Sequence, residues 1–208
     1  KPLMAESIKQ NFNHLKIHSQ YSICEGAIKI DDLKDFSKEN KIRSLALCDT
    51  YNLCGALEFA EKLTKSGTQP IIGTQINFKF GDTTGLLPLF ALNDKGYKKI
   101  IELSSLSYLK NDDLSDPHLD FDELLNKTEG VALFSGTING LFGELFDKGK
   151  FTEIKELYSK LNSNFQNRFY LEIQRHGDLN EKSFEKFNLK LSLELEVPII
   201  ATNEVFYI

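Results

Sequence analysis

The stretch Ser44-Leu45-Ala46-Leu47-Cys48-Asp49 (SLALCD) decides the fold. Its apolar residues follow one another without polar alternation and stop at an acid. A strand with one wet face alternates, whereas a strand covered on both faces does not, so the run predicts an interior strand of a parallel sheet lined by helices. Downstream, Leu53 to Lys65 places Leu53, Leu57, Ala60 and Leu63 along one helical face, with Gly67 after its end. Pro70 to Phe80 then reads as the next strand. Upstream, Asn13 to Ile17 is a short strand, and Asp31 and Asp32 read as the N-cap of a helix carrying Leu33 and Phe36.

The alternation runs to the end of the chain. Leu86 to Leu92 predicts a strand, Lys95 to Leu109 a helix, and Val131 to Phe134 a strand after the turn at Gly130. Two short helices are expected within Gly140 to Leu161. Phe169 to Ile173 is a strand, Glu181 to Leu195 a helix, and Pro198 to Ala201 a last strand bounded by Thr202 and Asn203. About seven strands separated by helices point to an α/β protein with a TIM-like (β/α)7 barrel. The open doubly wound sheet is less well supported, because no Gly-rich phosphate loop follows the first strand. The polar run Asn111 to Glu123 is expected to be a solvated loop leading into a short helix, with His118 on its surface.

Bulk composition narrows the function classes. The 208 residues hold 25 Lys and Arg against 30 Asp and Glu, a net charge of -5, which argues against a domain gripping phosphate backbones through its overall field. Cys24, Cys48 and Cys54 are odd in number and lack CxxC spacing, so reduced, buried thiols in a cytoplasmic protein are expected. No run approaches the roughly 20 apolar residues that span a bilayer, and the N-terminus lacks the apolar core of a signal peptide. The expectation is a soluble protein without membrane contact. Residues 1–12 are read as an N-terminal segment whose first three precede the sole methionine, Met4, and are taken as an appended remnant. Residues 13–208 are read as one domain, and an end straight after a strand and its exit loop suggests a module excised from a longer chain.

In parallel barrels, functional groups collect at the C-terminal strand ends. His18, Asp49, Gln75, His176 and Glu204 fall there. Each alone has a plain explanation, such as a helix cap for Asp49 or an exposed acid for Glu204, but their recurrence at one end favours a shared pocket. His14, Lys16 and His18 point to one face of an extended strand. Two imidazoles so spaced would chelate a cation, whereas the Lys16 ammonium repels one. Tyr21 and Ser22 follow this strand and either line the pocket or pack within it. Gly26, Gly55, Gly73 and Gly136 are assigned to turns or close packing, and Asn52 to capping the helix that holds Leu53 and Leu57. A Ser19, His18, Asp49 triad has no nucleophile elbow behind it.

Taken in order, HLKIHSQYSICEGA, LALCDTYNLCGALEFAEKL, QPIIGTQINF, ALNDKGY, YLEIQRHG and ATNEVFYI resemble the PHP (polymerase and histidinol phosphatase) domain found at the N-terminus of bacterial DNA polymerase III alpha subunits. The resemblance covers nearly the whole chain and implies a distorted barrel, the PHP fold, with up to three metal ions at the strand ends of active members. Carried onto this sequence, it implies that the family's His-x-His corresponds to Lys16 and His18, and its Asp-His pair to Asp49 and Thr50. A glutamate becomes Gln75, a histidine Leu86, and a cysteine or histidine Thr137. His176 keeps the family's residue, and the closing Asp-x-His becomes Glu204-Val205-Phe206.

About half the ligands are thus replaced by groups that coordinate metal poorly. The expectation is a vestigial pocket without catalytic residues or bound cofactor, in which only His18, Asp49, His176 and Glu204 remain as weak metal candidates. Lys16 is expected to stand in for a lost metal charge by pairing with Asp49 or Glu204. The resemblance further implies a parent DNA-directed DNA polymerase using magnesium held outside this fragment. Its implied partners are the remaining alpha-subunit domains, the proofreading exonuclease subunit, and DNA through the holoenzyme. The competing expectation is a metal-dependent phosphoesterase or 3'-5' exonuclease.

Overall fold

A computed structural model describes residues 12–112 and 114–207. The expected N-terminal segment 1–12 lies outside the described residues except for Phe12. The interior strand is β2 (Ser44–Thr50), and Leu45 to Thr50 are all buried. On one side it pairs in parallel with β1 (Lys16–Ile17), and on the other with β3 (Gln69–Phe80).

The expected parallel order breaks at β4 (Thr83–Ala91), which pairs antiparallel with β3. Only Gly81 and Asp82 join them, and Gly81 takes φ 61, a left-handed conformation suited to a residue without Cβ. Two residues can close a hairpin but cannot carry the chain across a sheet. The connection from Phe80 to the predicted strand at Leu86 was therefore already too short for a helical crossover. β6 (Val131–Phe134) also pairs antiparallel with β4, and β7 (Phe169–Ile173) then restores the parallel direction.

Among the described residues nine strands replace the seven expected, in the order β8-β7-β6-β4-β3-β2-β1-β9, with β5 beside β3. One addition is β5 (His118–Asp120), which lies within the stretch read as loop and leaves His118 half-buried on a strand. The other is β9 (Glu204–Val205), two residues after β8 (Ile199–Ala201). β8 pairs with β7 and β9 with β1, so one stretch of chain bridges the two ends of the sheet and curls it into a distorted TIM-like barrel.

Helices cover the outside: α1 (Ile30–Glu39), α2 (Ala56–Lys65), α3 (Asp94–Leu109), α4 (Phe121–Leu125), α5 (Leu141–Asp147), α6 (Phe151–Phe165) and α7 (Glu181–Leu195). Asp31 and Asp32 occupy the first turn of α1 instead of capping it, where they complement the helix dipole. α2 begins at Ala56, and its buried face is Ala56, Phe59 and Leu63; Leu57 is 69% exposed. Asn52 shapes the turn before α2 by accepting from the Cys54 amide at 3.0 Å, while the N-cap position is Gly55. Cys48 is buried, but Cys24 and Cys54 are exposed, contrary to the expectation of three buried thiols. Among the described residues no helix is long and apolar enough to cross a membrane.

Candidate functional site: a charged pocket at the strand ends

β1 and β9 run side by side with Lys16 opposite Glu204, which sets the centre of the pocket by backbone register. The Lys16 side chain is 1% exposed, and its Nζ lies 3.0 Å from Glu204 Oε1 and 3.3 Å from Glu172 Oε1. Burial alone would draw the lysine's pKa down; the Glu172 and Glu204 carboxylates outweigh it and leave the value raised. The ammonium is therefore charged at neutral pH.

Glu204 is the hub. Its Oε1 also accepts from Gln75 Nε2 at 3.3 Å and lies 3.4 Å from His18 Nε2. That imidazole nitrogen is buried and its alignment makes no hydrogen bond. Burial on its own would raise the pKa of Glu204, but His18 and Lys16 together hold it at about 2. Phe206, two residues beyond, stacks on the His18 ring with centroids 4.5 Å apart and planes 15° from parallel. An aromatic face thus stands where the resemblance implies a ligand.

Asp49 serves a different purpose from the one expected. Its carboxylate accepts from the Ser19 amide at 2.6 Å, Ser19 Oγ at 2.8 Å and Ser22 Oγ at 2.9 Å, and it makes no pair with Lys16. These bonds pin the loop after β1. Thr50 joins the same network through its amide to Ser22 Oγ and its hydroxyl to Glu25 Oε2 at 2.7 Å. Ser22 is buried within this network, whereas the Tyr21 hydroxyl turns away to Glu58.

The remaining candidates stand farther out. Leu86 lies opposite Asn77 in the β3–β4 ladder, two residues beyond Gln75 on the same face. Thr137 is half-buried beside Glu172 and Gln174. His176 is exposed, and its backbone amide, not its ring, is engaged, donating to Glu181 Oε1 at 2.9 Å. The structure therefore brings together Lys16, His18, Gln75, Glu204 and Phe206, places Asp49 and Thr50 alongside, and leaves His176 outside.

Glu172 is the residue that sequence reading missed. Its side chain is fully buried, its Oε1 accepts from Gln174 and Thr202 as well as facing Lys16, and its Oε2 has no hydrogen-bond partner among the described residues. A signal existed: Glu172 interrupts the apolar run FYLEI of β7, and a buried carboxylate requires a cation or several donors.

A metal cluster does not fit these residues. Among those described, no group of three or more His, Cys, Asp or Glu side chains comes together to hold an ion. The pocket centre is an ammonium that only donates, and the Glu204 oxygen nearest it already faces two other nitrogens.

Fold and pocket together define a distorted α/β barrel with a buried charged pocket where β1, β7 and β9 come together. The PHP domain family model matches residues 14–176. The chain belongs to the PHP domain family. It is 35% identical over 212 residues to the DNA polymerase III subunit alpha of Caulobacter vibrioides, covering 98% of this chain and 18% of that protein. The corresponding subunit of Borreliella burgdorferi is 35% identical over 213 residues, covering 97% and 18%. The chain thus spans less than a fifth of the length of these curated relatives. Among solved structures, a two-domain protein from Bacteroides vulgatus, described as containing a predicted PHP-like metal-dependent phosphoesterase, superposes with a TM-score of 0.58 at 15% identity. That match covers 93% of this chain and 51% of the other. An amidohydrolase from Chromobacterium violaceum gives 0.56 at 12% identity, covering 93% and 87%. Likeness at that level of identity is likeness of fold.

Proposed function

We propose that this chain is the PHP part of a DNA polymerase III alpha-type subunit, with a structural role in place of hydrolysis. The observation that carries the reading is the buried Lys16 ammonium between Glu172 and Glu204, at the strand ends where a PHP hydrolase would hold cations. Metal-dependent hydrolysis needs about three protein ligands per ion and an open position for water. Here the central carboxylates are committed to a lysine, and Asp49 to two serines.

In this reading the parent polypeptide is a DNA-directed DNA polymerase acting in bacterial DNA replication in the cytoplasm. Its magnesium is held by residues beyond this chain. The domain supports the remaining domains of the subunit and offers a surface to the proofreading exonuclease subunit, and DNA is engaged through the holoenzyme. The identity shared with alpha subunits along nearly the whole chain supports this parentage.

The test is metal content by mass spectrometry after exposure to zinc and manganese and removal of the excess, paired with an assay for phosphodiester cleavage. Fewer than roughly 0.1 ions per chain and no cleavage are expected. Two or more tightly held ions with cleavage would instead establish a metal-dependent phosphoesterase or 3'-5' exonuclease.

A further inference from the structure

Lys16 satisfies only one side of Glu172. Oε1 faces Lys16 Nζ at 3.3 Å and accepts from Gln174 Nε2 at 3.2 Å and from Thr202 Oγ1. Oε2, on the same fully buried side chain, has no hydrogen-bond partner among the described residues. A carboxylate oxygen withdrawn from solvent without a donor is costly, because the hydrogen bonds it made to water in the unfolded chain are not replaced. Glu172 borders a small cavity of about 10 Å³, whose wall includes Thr137 after β6 and Glu181 and Glu185 of α7. That volume suits one water molecule and excludes any organic ligand.

The other two acids on the wall are already engaged. Glu181 accepts from the amides of His176 at 2.9 Å and Gly177 at 2.8 Å, and Arg175 holds Glu185 through Nε at 3.0 Å and Nη2 at 2.8 Å. The Thr137 hydroxyl, on a half-buried side chain, can both give and take a hydrogen bond. We infer that this cavity is a binding site for a single ordered water molecule, which donates to Glu172 Oε2 and bridges it to the Thr137 hydroxyl. A water molecule needs only roughly two to four polar partners, which this wall supplies. A bare divalent cation would need about six oxygen ligands, and the Glu181 and Glu185 carboxylates are committed elsewhere. The water gives Glu172 a donor on each oxygen, so the carboxylate facing Lys16 is held from both sides, and it ties β7 to the segment after β6.

The test is a crystal structure of the natural protein at a resolution that shows ordered water, from crystals grown with and without rubidium chloride. A second structure, of Thr137→Val, nearly preserves the side-chain volume and removes the hydroxyl. A density peak roughly 2.6 to 3.2 Å from both Glu172 Oε2 and Thr137 Oγ1, without a rubidium anomalous signal, is expected. In Thr137→Val the peak is expected to lose at least about half its occupancy, since one partner is gone. No peak at Oε2 in the natural protein overturns the assignment, whether or not the variant folds. A rubidium signal at that position overturns it in favour of a monovalent cation. Full occupancy in Thr137→Val overturns the bridge.

Discussion

Lys16 supplies the positive charge between the two carboxylates at the centre of the pocket. A buried ammonium with two carboxylates is strongly coupled, and removing it leaves both acids without a counter-charge. Lys16→Met is expected to destabilise the fold by about 3 to 5 kcal/mol in urea denaturation, because breaking a buried pair strands its partner. Adding Glu172→Gln and Glu204→Gln to that variant should restore much of the loss, an outcome that simple loss of packing would not produce. Glu204 also sets an acid limit. Its folded value of about 2 lies below its ordinary 4.5, so its contribution is full above about 4.5 and drains away as pH falls towards 2. Glu204→Gln should flatten that part of the stability profile. Lys16 has the opposite sign: its raised value keeps its contribution full below its ordinary 10.5, with loss only at higher pH.

Among the elements, the loop after β1 couples the pocket to the sheet. Asp49 at the end of β2 holds Ser19 and Ser22, and Gly26 returns the chain so closely that an added Cβ would sit 2.1 Å from the Ser19 carbonyl oxygen. Backbone oxygen cannot move aside as a side-chain tip can. Gly26→Ala is therefore expected to cost about 1 to 3 kcal/mol by overpacking and to loosen the loop. The measurements are a denaturation midpoint and faster amide exchange at Ser19 and Ser22, both of which donate within or beside this network. Amide exchange in the β3–β4 hairpin should stay unchanged, since Gly26 touches neither strand.

For the molecule as a whole, the bridging of β7 and β1 by consecutive strands means that the ends of the sheet meet through protein contacts. Ion pairing at Lys16 joins β1, β7 and β9 across that junction. Structural integrity should then be independent of divalent ions. Treatment with a chelator is expected to leave the melting temperature unchanged within about 1 °C, whereas a protein whose folding was linked to metal would lose stability. A clear drop on chelation would mean that an ion contributes at the strand ends.

Much was legible in local pattern. Alternating apolar strands and helices and the interior character of Ser44 to Cys48 follow from periodicity; His18, Gln75 and Glu204 meet in the fold, but Gln75 lies mid-way along β3 and Glu204 opens β9. It was also legible that an ammonium, a leucine and a phenylalanine cannot donate lone pairs to a metal. Only tertiary structure decided which acids Lys16 would meet. Glu172 lies 156 positions from it along the sequence and reaches it solely because β8 and β9 carry the sheet round from β7 to β1. Asp49, nearer in sequence and also a carboxylate, is claimed by serine hydroxyls and an amide of the adjoining loop. Local pattern specifies which groups are available and which way they face; the partners of a buried charge are set by strand register and closure, which bring distant segments within a few ångströms.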